Sequence, residues 1–229
     1  MCILQQITYK NLFLTTKKLL VPITIEKQIF IIRHGETEYN RLNIIQGSSI
    51  DIDINEKGYL QAMSFYTTYK NISFDKVYTS VLKRTKQSVQ QFINDGIPHE
   101  QICELNEICW GDLEGKNQSE VEKEMFRNIV SKWKTGNINA KIPNGESPFE
   151  MQERQKKALS YILKNTTEKT ILICMHGRAM KSFLCLLLDI PLTQMEQFQH
   201  SNLGLYLLNY RNTKFELLKQ NNADHLVNL

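Results

Sequence analysis

The chain has 229 residues, of which 41% are hydrophobic and 23% are charged, and this is typical of one globular α/β domain. No apolar run approaches the roughly 18 residues that a membrane span requires, so we expect no membrane as a partner. The formal net charge of +4 is scattered along the chain rather than gathered in blocks, so we expect no nucleic acid as a partner either.

Residues 1–25 are an N-terminal extension of unclear role, and residues 26–229 are predicted to form a single domain. The extension contains three lysines and short apolar patches. Its apolar patch at 19–21 is broken by Pro22, and no small-residue cleavage site follows, so a signal peptide is not expected. An amphipathic surface segment, an extra strand and a disordered extension all remain open.

Six short apolar runs predict strands, at residues 28–32, 76–79, 101–105, 170–174, 203–209 and 214–219. Helices are predicted over 55–69, after Ser80, after Ser119, over 148–164 and over 179–188. Ser119 and Ser147 each begin a capping box, with a glutamate three residues later, which marks a helix start. In the helix after Ser119, the apolar residues that fall every fourth position are expected to pack against the main body; they are Val121, Met125, Ile129 and Trp133.

The order of these elements predicts the fold class. Alternating strands and helices indicate an α/β fold in which a mostly parallel central sheet is covered on both faces, a three-layer α/β/α sandwich. The last two strands are separated only by residues 210–213. This connection is too short for a crossover between parallel strands, so at least one strand is expected to be antiparallel.

Two of the predicted strands end in a histidine that is followed by glycine. Residues 29–32 lead to Arg33 and His34, and residues 170–175 lead to His176. Ligands of an open α/β sheet collect outside the carboxyl ends of its strands, and glycine lets an oxyanion approach the backbone closely. A histidine beside a fixed positive charge indicates phosphoryl chemistry, and a histidine satisfied in a turn is the structural alternative.

Two more candidate residues follow predicted strands. Arg84 lies in the first turn of the helix after strand 76–79, where free N–H groups and a partial positive charge already favour a phosphate. Glu107 comes two residues after strand 101–105 and could supply the proton that phosphoryl transfer to or from an alkoxide needs. The ordinary alternatives are a solvated helix arginine and a carboxylate paired with a lysine.

Several motifs occur in a fixed order between about residue 27 and residue 202. They are Arg33-His34-Gly35-Glu36-Thr37 with Asn40, Gln46-Gly47, Gly58 with Gln61-Ala62, Ser80-x-Leu82-x-Arg84-Thr85, Leu105-x-Glu107 with Glu114-Gly115, Pro143-x-Gly145-Glu146-Ser147, and His176-Gly177. Together they resemble the histidine phosphatase superfamily, also called the phosphoglycerate mutase-like family. The likeness is to its small-phosphatase branch, which includes α-ribazole phosphatase and broad-specificity phosphatases.

The resemblance implies a role for each candidate residue. His34 would be the nucleophile that becomes phosphohistidine, and Glu107 would be the proton donor. Three residues would surround the transferred phosphoryl group: Arg33, Arg84 and His176. Phosphoryl transfer depends mostly on positioning and charge neutralisation, and two guanidiniums can act where other enzymes use magnesium, so neither a metal nor another cofactor is expected. Arg33 would also favour the neutral form of His34.

The resemblance also implies further contacts and shows two departures. Additional phosphate or substrate contacts would come from Asn40, Gln46, Gly47 and Gly177. Residues 54–56 read Ile-Asn-Glu where the family usually has proline, leucine and threonine, which predicts a loop of different shape. Arg178 is either an added phosphate donor or a cation at a helix start.

Residues 116–142 are predicted to be a single helix-bearing lid insertion. Its size is that of small phosphatases of the family, and it lacks the longer substrate-clamping insertion of cofactor-dependent mutases. We therefore expect a metal-independent phosphomonoester hydrolase that acts on a small phosphorylated metabolite. A phosphoglycerate mutase-type isomerase is the alternative, and an inactive binding protein on the same fold is the second alternative.

The cysteines bear on the cellular compartment. The chain has five, in no CxxC pair and mostly within apolar runs, where a reduced and buried thiol is usual. We therefore expect a cytoplasmic protein. The identity of the substrate and the choice between monomer and homodimer stay open at this point.

Overall fold

The computed structural model describes residues 26–227 and residue 229, and the predicted extension 1–25 lies outside them. A mixed six-stranded sheet has the order β3-β2-β4-β1-β5-β6. Its strands are β1 (Glu26–Arg33), β2 (Lys76–Thr79), β3 (His99–Gln101), β4 (Thr170–Met175), β5 (Leu205–Arg211) and β6 (Lys214–Asn222). The strands β3, β2, β4 and β1 are parallel neighbours, whereas β5 is antiparallel to β1 and to β6. The predicted mostly parallel sheet with an antiparallel strand is confirmed.

Within residues 26–227, seven α-helices connect the strands. They are α1 (Glu38–Arg41), α2 (Glu56–Tyr69), α3 (Lys83–Ser88), α4 (Gln90–Asn94), α5 (Glu120–Lys134), α6 (Pro148–Lys164) and α7 (Gly177–Leu187). The predicted capping boxes of Ser119 and Ser147 begin α5 and α6, and Asn55 caps α2. In the part of the chain that the structure describes, no helix is long and apolar enough to cross a membrane.

Helices cover both faces of the sheet because successive residues of a strand point to opposite sides. In β1, Ile29 and Ile31 pack into a core with α5, α6 and α7. Phe30 and Ile32 point the other way, into a second core with α2 and α4. The fold is therefore the predicted three-layer α/β/α sandwich.

The strand predicted over 101–105 is wrong. The strand β3 ends at Gln101, and Cys103–Leu105 form a 3₁₀ helix. The last backbone hydrogen bond between the β3 segment and β2 runs from the Ile102 N–H to the Thr79 carbonyl, at 2.8 Å. Ile102 and Leu105 are both buried in the core on the α6 and α7 side of the sheet. A turn places residues three apart on the same side, whereas a strand would point them to opposite faces.

The single helix predicted after Ser80 is divided at Val89. The Ser88 hydroxyl donates to the Arg84 carbonyl at 2.6 Å, and the Val89 N–H bonds the Lys86 carbonyl only three residues back. Competition by a serine side chain and tightening to three-residue bonds end α3 here. The next helix, α4, buries Phe92.

Two smaller predictions also need correction. The strand predicted over 203–209 begins at Leu205, because Leu203 has a φ of 55° and lies in a turn. On α5, Ile129 and Trp133 are buried as predicted, but Val121 is 75% exposed and Met125 is 37% exposed. Only the C-terminal half of the α5 apolar face therefore packs against the main body.

The 116–142 segment leaves and rejoins the domain at one place. The Asp112 N–H donates to the Pro143 carbonyl at 3.2 Å, and the Glu146 N–H donates to the Cys109 carbonyl at 2.8 Å. Gly111 makes this approach possible, because it has a φ of 53° and a Cβ there would lie 2.0 Å from the Pro143 carbonyl oxygen. The two flanks of the segment are thus bonded to each other.

We predict that Phe65→Ala lowers the free energy of unfolding by about 3–5 kcal/mol, which is the usual cost of truncating a buried phenylalanine. Phe65 is fully buried and packs against the rings of Tyr69 and Phe92. Leu60→Ala is the control on the same helix, because Leu60 is 50% exposed, and it should change stability by less than about 0.5 kcal/mol. Urea denaturation monitored by circular dichroism measures both changes in stability. Equal effects would contradict the burial of Phe65 in the second core.

Candidate active site

The carboxyl ends of β1 and β4 bring the two predicted histidines together. Arg33 lies opposite Met175 in the parallel ladder, and the His34 N–H continues it by donating to the Met175 carbonyl at 3.0 Å. The next residue on each strand is the histidine, and the centroids of the two imidazole rings are 5.2 Å apart. Both side chains are buried. The structure therefore places His34 and His176 side by side at one sheet edge.

The tautomer of His34 follows from its backbone contact. Its Nδ1 lies 2.8 Å from the Gly35 carbonyl oxygen, and a carbonyl can only accept, so Nδ1 carries the proton. Burial, together with the Arg84 and Arg33 guanidiniums, lowers the pKa of His34 well below its usual range. The ring is therefore neutral, with its free lone pair on Nε2.

Arg84 is fully buried and holds the second histidine. Its Nε donates to His176 Nδ1 at 3.2 Å, so the proton of this ring is on Nε2, which lies 2.7 Å from Ser80 Oγ. Ser80 Oγ in turn lies 3.0 Å from Thr85 Oγ1. Burial and the Arg84 charge lower the pKa of His176 well below its usual range. Both nitrogens of His176 are engaged, so this ring orients Arg84 in the structure described here.

Backbone carbonyls hold the rest of the Arg84 guanidinium. Nη1 donates to the Ile50 carbonyl at 2.6 Å, and Nη2 donates to the Gly47 carbonyl at 3.2 Å. Burial lowers the pKa of Arg84 to about 10, so the group stays charged at neutral pH. Gly47 is required here, because a Cβ at this position would lie 2.5 Å from the Ile108 carbonyl oxygen.

Glu107 lies against the N-terminus of α7. Its Oε1 accepts the N–H of Ala179 at 2.7 Å and that of Ile108 at 2.9 Å, and its Oε2 accepts the N–H of Arg178 at 3.0 Å. The first N–H groups of a helix have no partner within the helix, so the carboxylate both satisfies them and is fixed by them. Glu107 is thereby anchored directly beside the His176-Gly177 turn.

Arg33 is held by a residue that the motifs do not include. Its Nη1 donates to the His200 carbonyl at 3.0 Å and lies 3.3 Å from His200 Nδ1. Among the residues that the structure describes, Arg33 Nε is buried without a hydrogen-bond partner. A Cβ on Gly177 would approach this Nε to 3.4 Å. An unused, buried N–H donor therefore lies next to the glycine that follows His176.

The expected contacts Asn40 and Gln46 are joined through Thr37. The Asn40 N–H donates to Thr37 Oγ1 at 3.2 Å, and Gln46 Nε2 donates to the same oxygen at 2.7 Å. Gln46 Oε1 is buried and unpartnered within the described part of the chain. Asn202 connects this group to His34, because its Nδ2 donates to the His34 carbonyl at 2.9 Å and to Asn40 Oδ1 at 3.2 Å.

Sequence reasoning missed His200, Asn202 and Arg154. The signal for the first two was their position before the antiparallel strand β5, which starts at the edge where β1 ends. Arg154 of α6 supports the Glu107 loop by donating to the Glu104, Asn106 and Glu107 carbonyls at 2.7, 2.9 and 3.1 Å. It also pairs with Glu146 at 2.7 Å, and no local motif announces this contact.

The 54–56 loop and Arg178, which depart from the family pattern, both contact a glutamate. Asn55 donates its N–H to the Glu36 carbonyl at 2.8 Å and its Nδ2 to Glu36 Oε1 at 3.0 Å, so the 54–56 loop is tied to the residue after Gly35. The Arg178 guanidinium forms an ion pair with Glu196. No group of three or more His, Cys, Asp and Glu side chains suited to a metal ion occurs among residues 26–227 and 229.

The sequence profile of the histidine phosphatase superfamily (branch 1) matches residues 29–223. A 2,3-bisphosphoglycerate-dependent phosphoglycerate mutase of Bradyrhizobium diazoefficiens is 28% identical over 173 residues, or 71% of this chain and 81% of that protein. The structure of phosphoserine phosphatase from Entamoeba histolytica with 3-phosphoglyceric acid has 28% identity and a TM-score of 0.77, over 88% of this chain and all of that one. The α-ribazole phosphatase of Shigella flexneri shares the fold, with 24% identity and a TM-score of 0.76, over 85% and 96% of the chains.

We predict that His34 stays neutral, with its proton on Nδ1, as the pH falls through about 6.5. An unperturbed histidine takes up a proton near pH 6.5, but burial and two guanidiniums oppose this in the folded protein. The unfolded chain gains that proton as the pH falls through 6.5, so the stability contributed by neutral His34 is complete above this pH and declines below it. Nitrogen-15 NMR of the imidazole measures the tautomer and the pKa.

The control for this titration uses two residues of α3. Arg84→Gln should raise the pKa of His34, because it removes the largest opposing charge. Lys86→Gln should leave that pKa unchanged, because Lys86 is exposed and Lys86 is not among the charges that act on His34. A His34 pKa near 6.5 in the parent protein would contradict the assignment.

Proposed function

The chain belongs to the histidine phosphatase superfamily, and we propose that it is a metal-independent phosphomonoester hydrolase that forms a phosphohistidine at His34. The single observation that carries this proposal is the state of the His34 ring. Its Nδ1 is engaged by the Gly35 carbonyl, which leaves the Nε2 lone pair as the nucleophile. Burial and neighbouring guanidiniums keep this nitrogen unprotonated.

Binding of the substrate phosphate would use donors that the protein leaves unpaired. Arg33 Nε is buried without a partner, and three contacts of Arg84 leave two of its five N–H donors unused. Guanidinium donors suit the equatorial oxygens of a phosphoryl group in transfer. The charge that a metal ion supplies in other enzymes would come from Arg33 and Arg84.

The first chemical step would transfer the phosphoryl group to the enzyme. A bond forms between His34 Nε2 and phosphorus while the bond from phosphorus to the ester oxygen breaks. The leaving alkoxide would take the proton of Glu107, whose carboxylate is fixed at the N-terminus of α7. Proton donation by a positioned carboxylic acid contributes about 10²–10⁴-fold to such a step.

The second step would release the phosphate. A water molecule attacks phosphorus, its proton passes to Glu107, and the bond from phosphorus to His34 Nε2 breaks. His34 returns to its neutral form, and inorganic phosphate leaves the site. His176 would act in both steps by orienting Arg84 through its Nδ1 contact.

A phosphatase is preferred to a mutase because of the 116–142 segment. This segment contains one α-helix, α5. It lacks the longer insertion with which a cofactor-dependent mutase would clamp a bound phospho-acid. The similarity to a phosphoglycerate mutase keeps the isomerase as the alternative. An assay of 3-phosphoglycerate isomerisation separates the two, and absence of both activities would favour an inactive binding protein. We propose a small phosphorylated metabolite as the substrate and the cytoplasm as the location.

We predict that the protein hydrolyses p-nitrophenyl phosphate in the presence of EDTA and that His34→Ala lowers kcat by more than about 10³-fold, because the nucleophile is lost. The parent protein should also yield a phosphoenzyme that is labile in acid and stable in alkali. His99→Gln is the control, because His99 lies on β3 and contacts Thr79 instead of His34. Activity that disappears in EDTA and returns with added magnesium would contradict the metal-independent mechanism.

We predict that Glu107→Gln lowers kcat/KM, which reports the transfer of the phosphoryl group to the enzyme, by about 10²–10⁴-fold for an alkyl phosphate and by much less for p-nitrophenyl phosphate. An alkoxide needs a proton to leave, whereas nitrophenolate does not. Glu104→Gln is the matched control in the same loop, since Glu104 contacts Cys103 rather than α7. Equal losses in kcat/KM on the two substrates would show that Glu107 is not the proton donor.

A further inference from the structure

Two cations on α7 share one carboxylate beside the candidate site. Arg178 forms an ion pair with Glu196 Oε1. Lys181, almost one turn further on, pairs with Glu196 Oε2 at 2.8 Å. The Arg178 and Lys181 side chains are only 12% and 9% exposed. This pair of cations therefore carries one positive charge more than its carboxylate neutralises.

Two tryptophans fix the Arg178 guanidinium. Its Cζ lies 5.4 Å from the ring centroid of Trp133 and 5.6 Å from that of Trp110, and these two rings stack on each other. Among the described residues, the only hydrogen bond of this guanidinium is to Glu196. The planar fork of an arginine binds a carboxylate with two parallel N–H donors, and most of the donors of Arg178 are unused.

The surplus charge is close to the proposed phosphoryl site. The Arg178 N–H bonds Glu107, and Arg178 is the second residue after His176. His200, which contacts Arg33, also lies in the field of both α7 cations: burial and then the charges of Arg33, Lys181 and Arg178 lower its pKa to about 3. The charges of Arg33, Lys181 and Arg178 thus all act on the His200 ring.

The surrounding carboxylates do not remove the surplus. Glu107 accepts the Arg178 backbone N–H, and in the proposed first step it holds the proton for the leaving alkoxide, so it has no negative charge that would cancel the surplus when a substrate binds. Burial, and then the charges of Arg178, Lys134 and Arg33, lower the pKa of Lys181 to about 8. A buried charge without a partner is costly, and one excess charge is balanced by a monoanion.

We propose that Arg178 and Lys181 bind the carboxylate of a phosphorylated acid, so that the enzyme prefers phosphomonoesters with a carboxylate to those without one. This inference rests on the proposed phosphatase function and names its substrate class. A carboxylate is favoured over a second phosphate because its single negative charge equals the surplus. The phosphate of such a substrate would bind at Arg33 and Arg84, and its carboxylate would bind at the fork of Arg178.

The test compares substrates that differ in the carboxylate. O-phosphoserine and O-phosphoethanolamine form one pair, and 3-phosphoglycerate and glycerol 3-phosphate form another. The parent protein should favour the carboxylated member by about 10- to 100-fold in kcat/KM, which is the value of a charge-assisted hydrogen bond. Arg178→Gln should bring this ratio close to 1, mainly through KM, and Arg178→Lys should give an intermediate ratio because it keeps the charge but loses the fork.

The matched control is Arg127→Gln on α5, because Arg127 is exposed and pairs with Glu124. It should leave both the ratio and the activity unchanged. A parent protein that hydrolyses p-nitrophenyl phosphate but shows a ratio near 1 would overturn the carboxylate site and leave the phosphatase proposal standing. Preference for a bisphosphate over the carboxylated substrates would also overturn it.

A binding measurement on the parent protein separates this inference from the failure of catalysis or of a variant to fold. Calorimetry would compare 3-phosphonopropionate with propylphosphonate, which lacks the carboxylate, and neither compound is turned over. Tighter binding of 3-phosphonopropionate by about 10-fold or more supports the site even if no hydrolysis is found. Equal affinities would refute it, whatever the activity.

Discussion

The register between β1 and β4 is the constraint on which the site depends. Arg33 lies opposite Met175, so the next residue on each parallel strand is a histidine, and the two rings meet at a single sheet edge. Because side chains alternate between faces, a shift of one residue would send one histidine and the core residues before it to the wrong side. Burial of Ile31 and Ile173 on one face and of Ile32 and Cys174 on the other therefore fixes the geometry of the histidine pair.

The guanidiniums at this edge are solvated by backbone carbonyls. Arg84 donates to the Gly47 and Ile50 carbonyls, and Arg33 donates to the His200 carbonyl. A carbonyl satisfies an N–H donor but carries no net charge, so these contacts stabilise the buried cations without neutralising them. Carboxylate partners would bind the guanidiniums more tightly and would cancel the charge. The protein thus keeps an oriented positive potential at the site, with little reorganisation needed when an anion arrives.

Residues that follow parallel strands could be located from the sequence, and others could not. His34 and His176 come directly after apolar runs that form buried strands, and Arg84 lies in the first turn of the helix that follows such a run. These runs can be recognised without tertiary information. His200 precedes an antiparallel strand, and only the sheet order shows that this position meets the end of β1. The strand predicted over 101–105 failed because Ile102 and Leu105 bury equally well in a turn. Arg154 acts on the Glu107 loop from about fifty residues away in sequence, and a contact at that separation leaves no local pattern.

The bonded flanks of the 116–142 segment make it a replaceable module. Backbone bonds between Asp112 and Pro143 and between Glu146 and Cys109 hold the two ends together, so the intervening chain closes a loop whose ends are already fixed. The entropic cost of a loop grows slowly with its length, and insertions there would not disturb the Glu107 anchor. Evolution could therefore exchange this segment while the sheet edge that holds His34 and His176 stays the same. Diversification of substrate range within such a scaffold would need changes in one excursion of the chain rather than in the sheet.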